Sequence, residues 1–235
     1  MGIRDDYFTY AGTASTTYGC VIQTRPSYIA PERVVERFNV RGRTGDLIID
    51  TGAYNNVDVT YSVFVPHANV SDFINWIKGQ VGYQRLEDTY EPDIYRKAAC
   101  ISNFEAESVF SQFNQTDIVF NCKPQRYLKS GETATTLTTS GGTMYNAYEE
   151  ALPLITINGS GNVTLSINNN SASIAGLSSS ITLDAETQNC YNGTINLNST
   201  VTLTNKFPVL EKGSNIISWT GTVSSVVITP RWWKI

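Results

Sequence analysis

The chain is short of charge, has one histidine and two methionines, and contains no long apolar run. Each shortage excludes something. Charged residues make up 16% of the 235, and the formal net charge is −4. A protein that grips a nucleic-acid backbone needs a clustered basic face, so sequence-specific nucleic-acid binding is not expected. Almost no Lys or Arg occurs in the second half before Lys206. The lone histidine, His67, follows Pro66 at a strand end with no Ser or Cys partner, which leaves it without a base role. No G-x-S-x-G, Walker loop or H-E-x-x-H occurs, and no enzymatic activity is expected. The four cysteines, Cys20, Cys100, Cys122 and Cys190, are widely spaced without a CxxC. They read as reduced, packed thiols, and with one histidine they make no zinc site. Neither a metal nor a cofactor is expected. No stretch approaches the roughly 18 apolar residues of a membrane helix. The beginning, MGIRDDYFTY, is polar and has no signal-peptide core, so neither membrane insertion nor secretion is expected. The Asn-x-Thr matches at Asn114, Asn162, Asn192 and Asn198 then read as chance.

What the chain has in quantity is Ser, Thr, Asn, Gly and alternating apolar residues. Val57, Val59, Tyr61, Val63 and Val65 alternate with polar residues except at Phe64, a period of two that predicts a strand with one buried face. Before it, RGRTGD at Arg41 to Asp46 places Gly42 and Gly45 among charges and predicts a protruding hairpin tip. Thr51 to Asn56 reads as a break. Val70, Phe73, Ile74 and Ile77 recur at helical spacing, with Asn69 and Asp72 resembling a capping box and Gly79 as the stop. This helix is too short to stand alone and must lean on the sheet. Trp76 lies off its stripe and is expected to fill a groove or face a neighbouring subunit. The run Glu87, Asp88, Glu91 and Asp93 has neither the spacing of an EF-hand nor a defined carboxylate pair, and reads as a solvated loop. Arg96 to Glu107 and Gln112 to Cys122 predict further strands, and KPQRYLKSG at Lys123 to Gly131 reads as a domain exit.

Residues 131–235 predict six to eight short strands and hence a β-sandwich. Glu132 to Thr143, rich in Thr, Ser and Gly, reads as a flexible linker or as an edge strand of this domain, the second being favoured. Leu154 to Ile157 and Val163 to Ile167 are separated by NGSGN, read as a hairpin turn. Ile181 and Leu183, Ile195 and Leu197, and Val201 and Leu203 alternate. Ile216 to Trp219 and Val223 to Ile228 flank Gly221. The ending Pro230 to Ile235 is expected to be ordered and to form the last strand, with one of Trp232 and Trp233 in the sandwich core and the other outside. Trp219, on an apolar strand, joins them as a packing residue.

FPVLEKGSN at Phe207 to Asn215, IISWTG at Ile216 to Gly221 and the terminal VVITPRWW at Val226 to Trp233 resemble the C-terminal signature of the distal tail protein (Dit) family of long-tailed siphophages. PLITINGSG at Pro153, ITLDAE at Ile181 and FNCKPQRY at Phe120 also fit, in the correct order. So do the Arg41 to Gly45 hairpin and Leu86 to Ala98. The resemblance implies an all-β fold with one short helix: a split-barrel-like, ring-forming domain over 1–130, then a galectin-like β-sandwich over 131–235. It implies a structural virion protein, usually a hexamer, forming the hub between the tail-tube protein and the tail-associated tip protein, with other baseplate or receptor-binding proteins as further partners. Its place would be the distal tail tip, after assembly in the host cytoplasm, with DNA passing through its channel. Residues 131–235 leave no room for the inserted carbohydrate-binding module of some relatives.

Ring interfaces join unlike patches. The tip residues Arg41, Arg43 and Asp46 and the acids Glu87, Asp88 and Glu91 are the candidate patches. A carbohydrate-binding β-sandwich protein, using Tyr191 or the tryptophans, and a tail-tube subunit are the alternative functions.

Overall fold

The Val57–Val65 alternation is the central strand of the first of two units. The computed structural model describes residues 6–110 and 112–235, with one unit running to Arg126 and the other from Tyr127 to Lys234. Strands of the first unit are β1 (Phe8–Tyr10), β2 (Thr13–Ala14), β3 (Val21–Thr24), β4 (Arg33–Phe38), β5 (Leu47–Tyr54), β6 (Val57–Pro66), β7 (Gln84–Asp88), β8 (Ile94–Ala99), β9 (Glu107–Phe110) and β10 (Phe113–Cys122), with helix α1 (Val70–Lys78) after β6. A short β11 (Arg126–Leu128) leads out. The main sheet is a curled half-barrel in the order β2-β1-β7-β8-β10-β6-β3. Its backbone is the ten-residue antiparallel ladder of β6 against β10, from Val57↔Cys122 to Pro66↔Phe113. Val57, Val59, Tyr61, Val63 and Val65 all face the core, as do Ile118, Phe120 and Cys122 opposite them.

Helix α1 closes this core with Phe73, Trp76 and Ile77. Trp76 is an interior residue, stacked on Phe8 at 5.9 Å and on Tyr18 at 4.9 Å. The stripe missed it because aromatic residues of β1 and of the turn before β3 reach round the helix and widen its buried arc. Burying such side chains stabilises by about 1.5–3 kcal/mol each, which a nine-residue helix needs. Asn69 does not cap it. Asn69 ends a preceding 3₁₀ turn with near-helical backbone angles, and its side-chain nitrogen donates instead to the Tyr18 carbonyl at 3.0 Å. The expected strand from Arg96 to Glu107 stops at Ala99, where Lys78 at the helix end takes the carbonyls of Cys100 and Ser102. The break expected over Thr51 to Asn56 is confined to Asn55 and Asn56, since β5 runs on through Gly52 to Tyr54. Glu87 and Asp88 belong to β7 rather than to a loop.

The second unit contains β12 (Thr135–Leu137), β13 (Gly142–Asn146), β14 (Leu154–Ile167), β15 (Asn170–Leu177), β16 (Ser180–Asp184), β17 (Asn189–Asn192), β18 (Ile195–Asn196), β19 (Val201–Thr204), β20 (Gly213–Thr229) and β21 (Trp233–Lys234). NGSGN is not a hairpin turn. β14 passes through it as one strand, and β20 likewise passes through Gly221. The first part of β14 pairs with β16 and the last part of β20; its later part pairs with β15 and the first part of β20. Two long strands therefore serve both layers, bending where their register shifts, as strands do when they switch sheets through bulges. The bend depends on glycine. A Cβ on Gly159 would sit 2.3 Å from the Thr222 carbonyl oxygen, and one on Gly221, at φ +93°, would sit 2.3 Å from that of Asn162. Ile155, Ile157, Val163, Leu165, Ile167, Ile217, Val226 and Ile228 fill the core between the layers.

The chain end is held without entering either layer. Arg231 N donates to Gly131 O and Leu128 N to Trp232 O, both at 2.8 Å, and Trp233 Nε1 donates to Glu150 O at 2.9 Å. Trp232 and Trp233 are both half-buried against the core cluster, as is Trp219. The expected division into one inner and one outer ring is replaced by two rings that each cover the core edge, because the backbone here follows residues 128–131 rather than a sandwich strand.

Candidate functional site

Among the described residues β4 and β5 pair only with each other. Their register sets Phe38 against Leu47, Arg37 against Ile48, Glu36 against Ile49 and Val35 against Asp50. Opposed residues share a face, so Phe38, Leu47 and Ile49 lie on one side and Ile48 and Val35 on the other. The exposures are high for such residues: Ile48 58%, Ile49 47%, Phe38 46%, Val40 42% and Leu47 38%. A two-stranded hairpin is marginal in water by itself, and Phe38, Leu47, Ile48 and Ile49 on this one stay exposed among the described residues.

The root of the hairpin is braced. Arg33 meets Asp50 at 2.6 Å and lies over the Tyr54 ring at 4.8 Å; Thr51 Oγ1 donates to Val34 O at 2.6 Å. The Gly52 N–H, then the Arg33 guanidinium, hold the Asp50 carboxyl below its ordinary value against the opposing cost of burial. The tip carries Arg41, Arg43 and Asp46, all exposed, with the Arg43 N–H donating to Val40 O at 3.1 Å and Gly42 and Gly45 turning at φ +84° and +82°.

The acids expected to answer these arginines are already engaged in their own chain. Asp88 accepts from the Tyr61 hydroxyl at 2.6 Å and from the N–H groups of Tyr90 and Glu91 at 3.0 and 2.8 Å. Glu91 pairs with Arg126 and, at 3.7 Å, with Arg96; Glu87 pairs with Arg85. All three stay half-exposed. Arg126 is the feature that sequence reading missed: it is 4% exposed, stacked on Tyr28 at 4.5 Å, and burial lowers its pKa. In the sequence it is one of three cations in the exit segment, with Lys123 and Lys129, and nothing in that run singles it out for burial.

Among the described residues no group of three or more His, Cys, Asp or Glu converges on a possible metal position, and no helix is long and apolar enough to cross a membrane. The crevice beside Arg25, Tyr28 and Glu91 has a volume of about 30 Å³, the space of a water molecule rather than a substrate. His67 Nδ1 lies 3.1 Å from the Asn114 amide with no nucleophile beside it. The four cysteines are unpaired, and three are buried.

No family model matches the sequence, and no curated protein matches it. Solved structures do. The fold is similar to that of the SPP1 Dit protein (gp 19.1), described as a paradigm of the hub adsorption apparatus in phages infecting Gram-positive hosts, with a TM-score of 0.74 at 12% identity over 97% of this chain and 98% of that one. It is also similar to a chain of the phage P2 baseplate in its activated conformation with Ca, with a TM-score of 0.54 at 11% identity over 95% and 96%.

Proposed function

We propose that this chain is a structural virion protein that assembles into a closed ring, a hexamer, at the distal tip of a phage tail. It joins the tail-tube protein to the tail-tip and baseplate apparatus. The observation that carries the reading is the β4–β5 hairpin, which leaves five large apolar residues uncovered on an arm too small to be stable alone. The full-length likeness to a hub protein of one phage and a baseplate chain of another supports the same reading. In the ring, Phe38, Leu47, Ile48 and Ile49 pack on the next protomer, a heterologous contact that closes on itself. Arg41, Arg43 and Asp46 fix its register against half-exposed groups that include Glu87, Asp88 and Glu91. Such charge pairs contribute specificity more than affinity. Assembly takes place in the host cytoplasm, and DNA later passes through the ring without being held.

Native mass spectrometry tests this directly. The wild-type chain should give a single closed oligomer at micromolar concentration. Phe38→Ser with Ile48→Ser should weaken each interface at least tenfold, about 1.4 kcal/mol, and shift the population to monomers whose circular dichroism is unchanged. A wild-type chain that stays monomeric across dilution and salt overturns the reading.

A further inference from the structure

The outer face of β16, β17 and β18 holds a shallow concavity of about 460 Å³, within the size range of small-ligand sites. Its floor follows from register. Thr182, Tyr191 and Asn196 lie opposite one another across the three strands, and Asp184 lies opposite Asn189. Opposed residues share a face, so Tyr191 sits between a hydroxyl and an amide with the Asp184–Asn189 pair beside it. The turns carrying Thr187 and Thr194 form the rim.

Half of these groups are fixed in place. Asp184 is bound by Arg231 at 2.6 Å and by the Glu186 N–H at 3.1 Å. Asn189 donates to Thr187 O and accepts from Asn198 Nδ2, both at 3.1 Å. Asn196 Oδ1 accepts from the Asn198 N–H at 2.9 Å, which orients that amide. The remaining groups are unengaged among the described residues: the Tyr191 hydroxyl, the Thr194 hydroxyl and the two donors of Asn196 Nδ2. A rigid floor with free donors and acceptors around one half-exposed ring is a preorganised arrangement.

The lining selects the ligand class. No Lys or Arg lines the concavity, so a phosphate, sulfate or uronate finds no charge-assisted partner. Its one carboxylate is already matched by Arg231, so a cation gains little. Its lining mixes an aromatic face with hydroxyls and amides, so a purely apolar side chain would leave those polar groups unpaired. Hydroxyls and amides that both donate and accept, beside an aromatic face, fit a polyhydroxylated ring. We infer that this concavity binds a neutral glycan, with one pyranose face against Tyr191 and its hydroxyls bonded to Asn196 and Thr194. The site lies within the second unit and stands whether or not the chain forms a ring.

The test uses the full-length chain on a microarray of cellotetraose, maltotetraose, chitotetraose, mannotetraose and galactotetraose with their uronate counterparts, followed by saturation-transfer NMR titration of the best probe. Saturable millimolar or tighter binding to a neutral probe is expected. Tyr191→Ala and Asn196→Ala should each weaken it at least tenfold with unchanged thermal unfolding. Tyr145→Ala, which removes an exposed tyrosine elsewhere on the unit, should leave it intact. Preference for the uronates, no saturable probe, or binding retained in the Tyr191→Ala chain overturns the inference. Oligomer mass, measured on the same samples, reports separately on the ring.

Discussion

Three single alanine substitutions separate the two constraints at the bend of β14 and β20. Gly161 has φ +77° and open space around its missing side chain, so Gly161→Ala meets only the left-handed backbone cost, about 1–2 kcal/mol. Gly159 lacks a positive φ, but its Cβ would lie 2.3 Å from the Thr222 carbonyl oxygen and 3.1 Å from Val223 Cα. Backbone atoms cannot swing aside as a side chain does, so Gly159→Ala meets an overpacking cost of about 1–3 kcal/mol. Gly221 has both problems, with φ +93° and a Cβ 2.3 Å from Asn162 O. Gly221→Ala should therefore be the most damaging, at about 2–5 kcal/mol, a large part of a typical domain's 5–15 kcal/mol. For a unit of this size each kcal/mol moves the midpoint by about 4–8 °C. Tryptophan fluorescence during heating is a suitable assay, because Trp219, Trp232 and Trp233 report on the second unit and Trp76 on the first. Equal, small shifts for Gly159→Ala and Gly161→Ala would refute the close crossing on which the bend is argued.

The remaining predictions concern charge and thiols. Burial raises the Asp184 carboxyl, but the Arg231 guanidinium, the Glu186 N–H and the Thr187 hydroxyl outweigh it and hold it below its ordinary value. Its stabilisation is full above the unfolded value near 3.9 and is lost as pH falls through the lower folded value. Asp184→Asn should cost the second unit about 1 kcal/mol at pH 7, and its unfolding curve should converge with wild type in stronger acid; a constant gap at all pH values would contradict the pairing. Burial pushes Cys20 and Cys122 up to about 12 and Cys190 to about 11. Iodoacetamide at pH 8 should label these three thiols only after denaturation, and native labelling of Cys20 or Cys122 would show that the first core opens. With a net charge of −4, the chain should show no duplex DNA binding at physiological salt by fluorescence anisotropy; micromolar affinity would contradict a passive channel.

The parts legible in the sequence were those where one physical rule acted alone. The alternation over Val57–Val65 and Ile118–Cys122 needed only a half-buried sheet, and the Phe73–Ile77 spacing needed only a helix on it. Reading failed where one residue type serves two purposes. Glycine with asparagine makes turns, but at 158–162 it makes a bend inside a strand. The distinguishing signal was parity, since Ile155, Ile157, Val163, Leu165 and Ile167 keep one phase across the supposed turn. In β20 the phase changes from Ile217 to Val226 and Ile228, which marks the extra residue of a bulge. Acidic residues mark solvated loops in general, but Asp88 answers Tyr61 and Glu91 answers Arg126, partners that lie far away in sequence, with Arg96 of the next strand beside them. The hairpin tip at Arg41 to Asp46 was legible. The uncovered flanks at Phe38 and Leu47 to Ile49 were not, because alternation cannot tell a strand facing its own core from one facing nothing.

The sharing of β14 and β20 between both layers also sets when the second unit can fold. Neither layer is complete before residues 213–229 have been made, since each takes in half of that strand. The seven strands in the order β2-β1-β7-β8-β10-β6-β3 are all made by Cys122. On a ribosome adding about 5–20 residues per second, the first unit can therefore settle while the second still lacks its longest strand. The second is then completed by a late step, the pairing of β20 with β14 across some sixty positions, and such long-range pairing is slow. During that interval the edge of β14 that will receive β20 is uncovered, so the second unit is most exposed to misassembly before residues 213–229 are available.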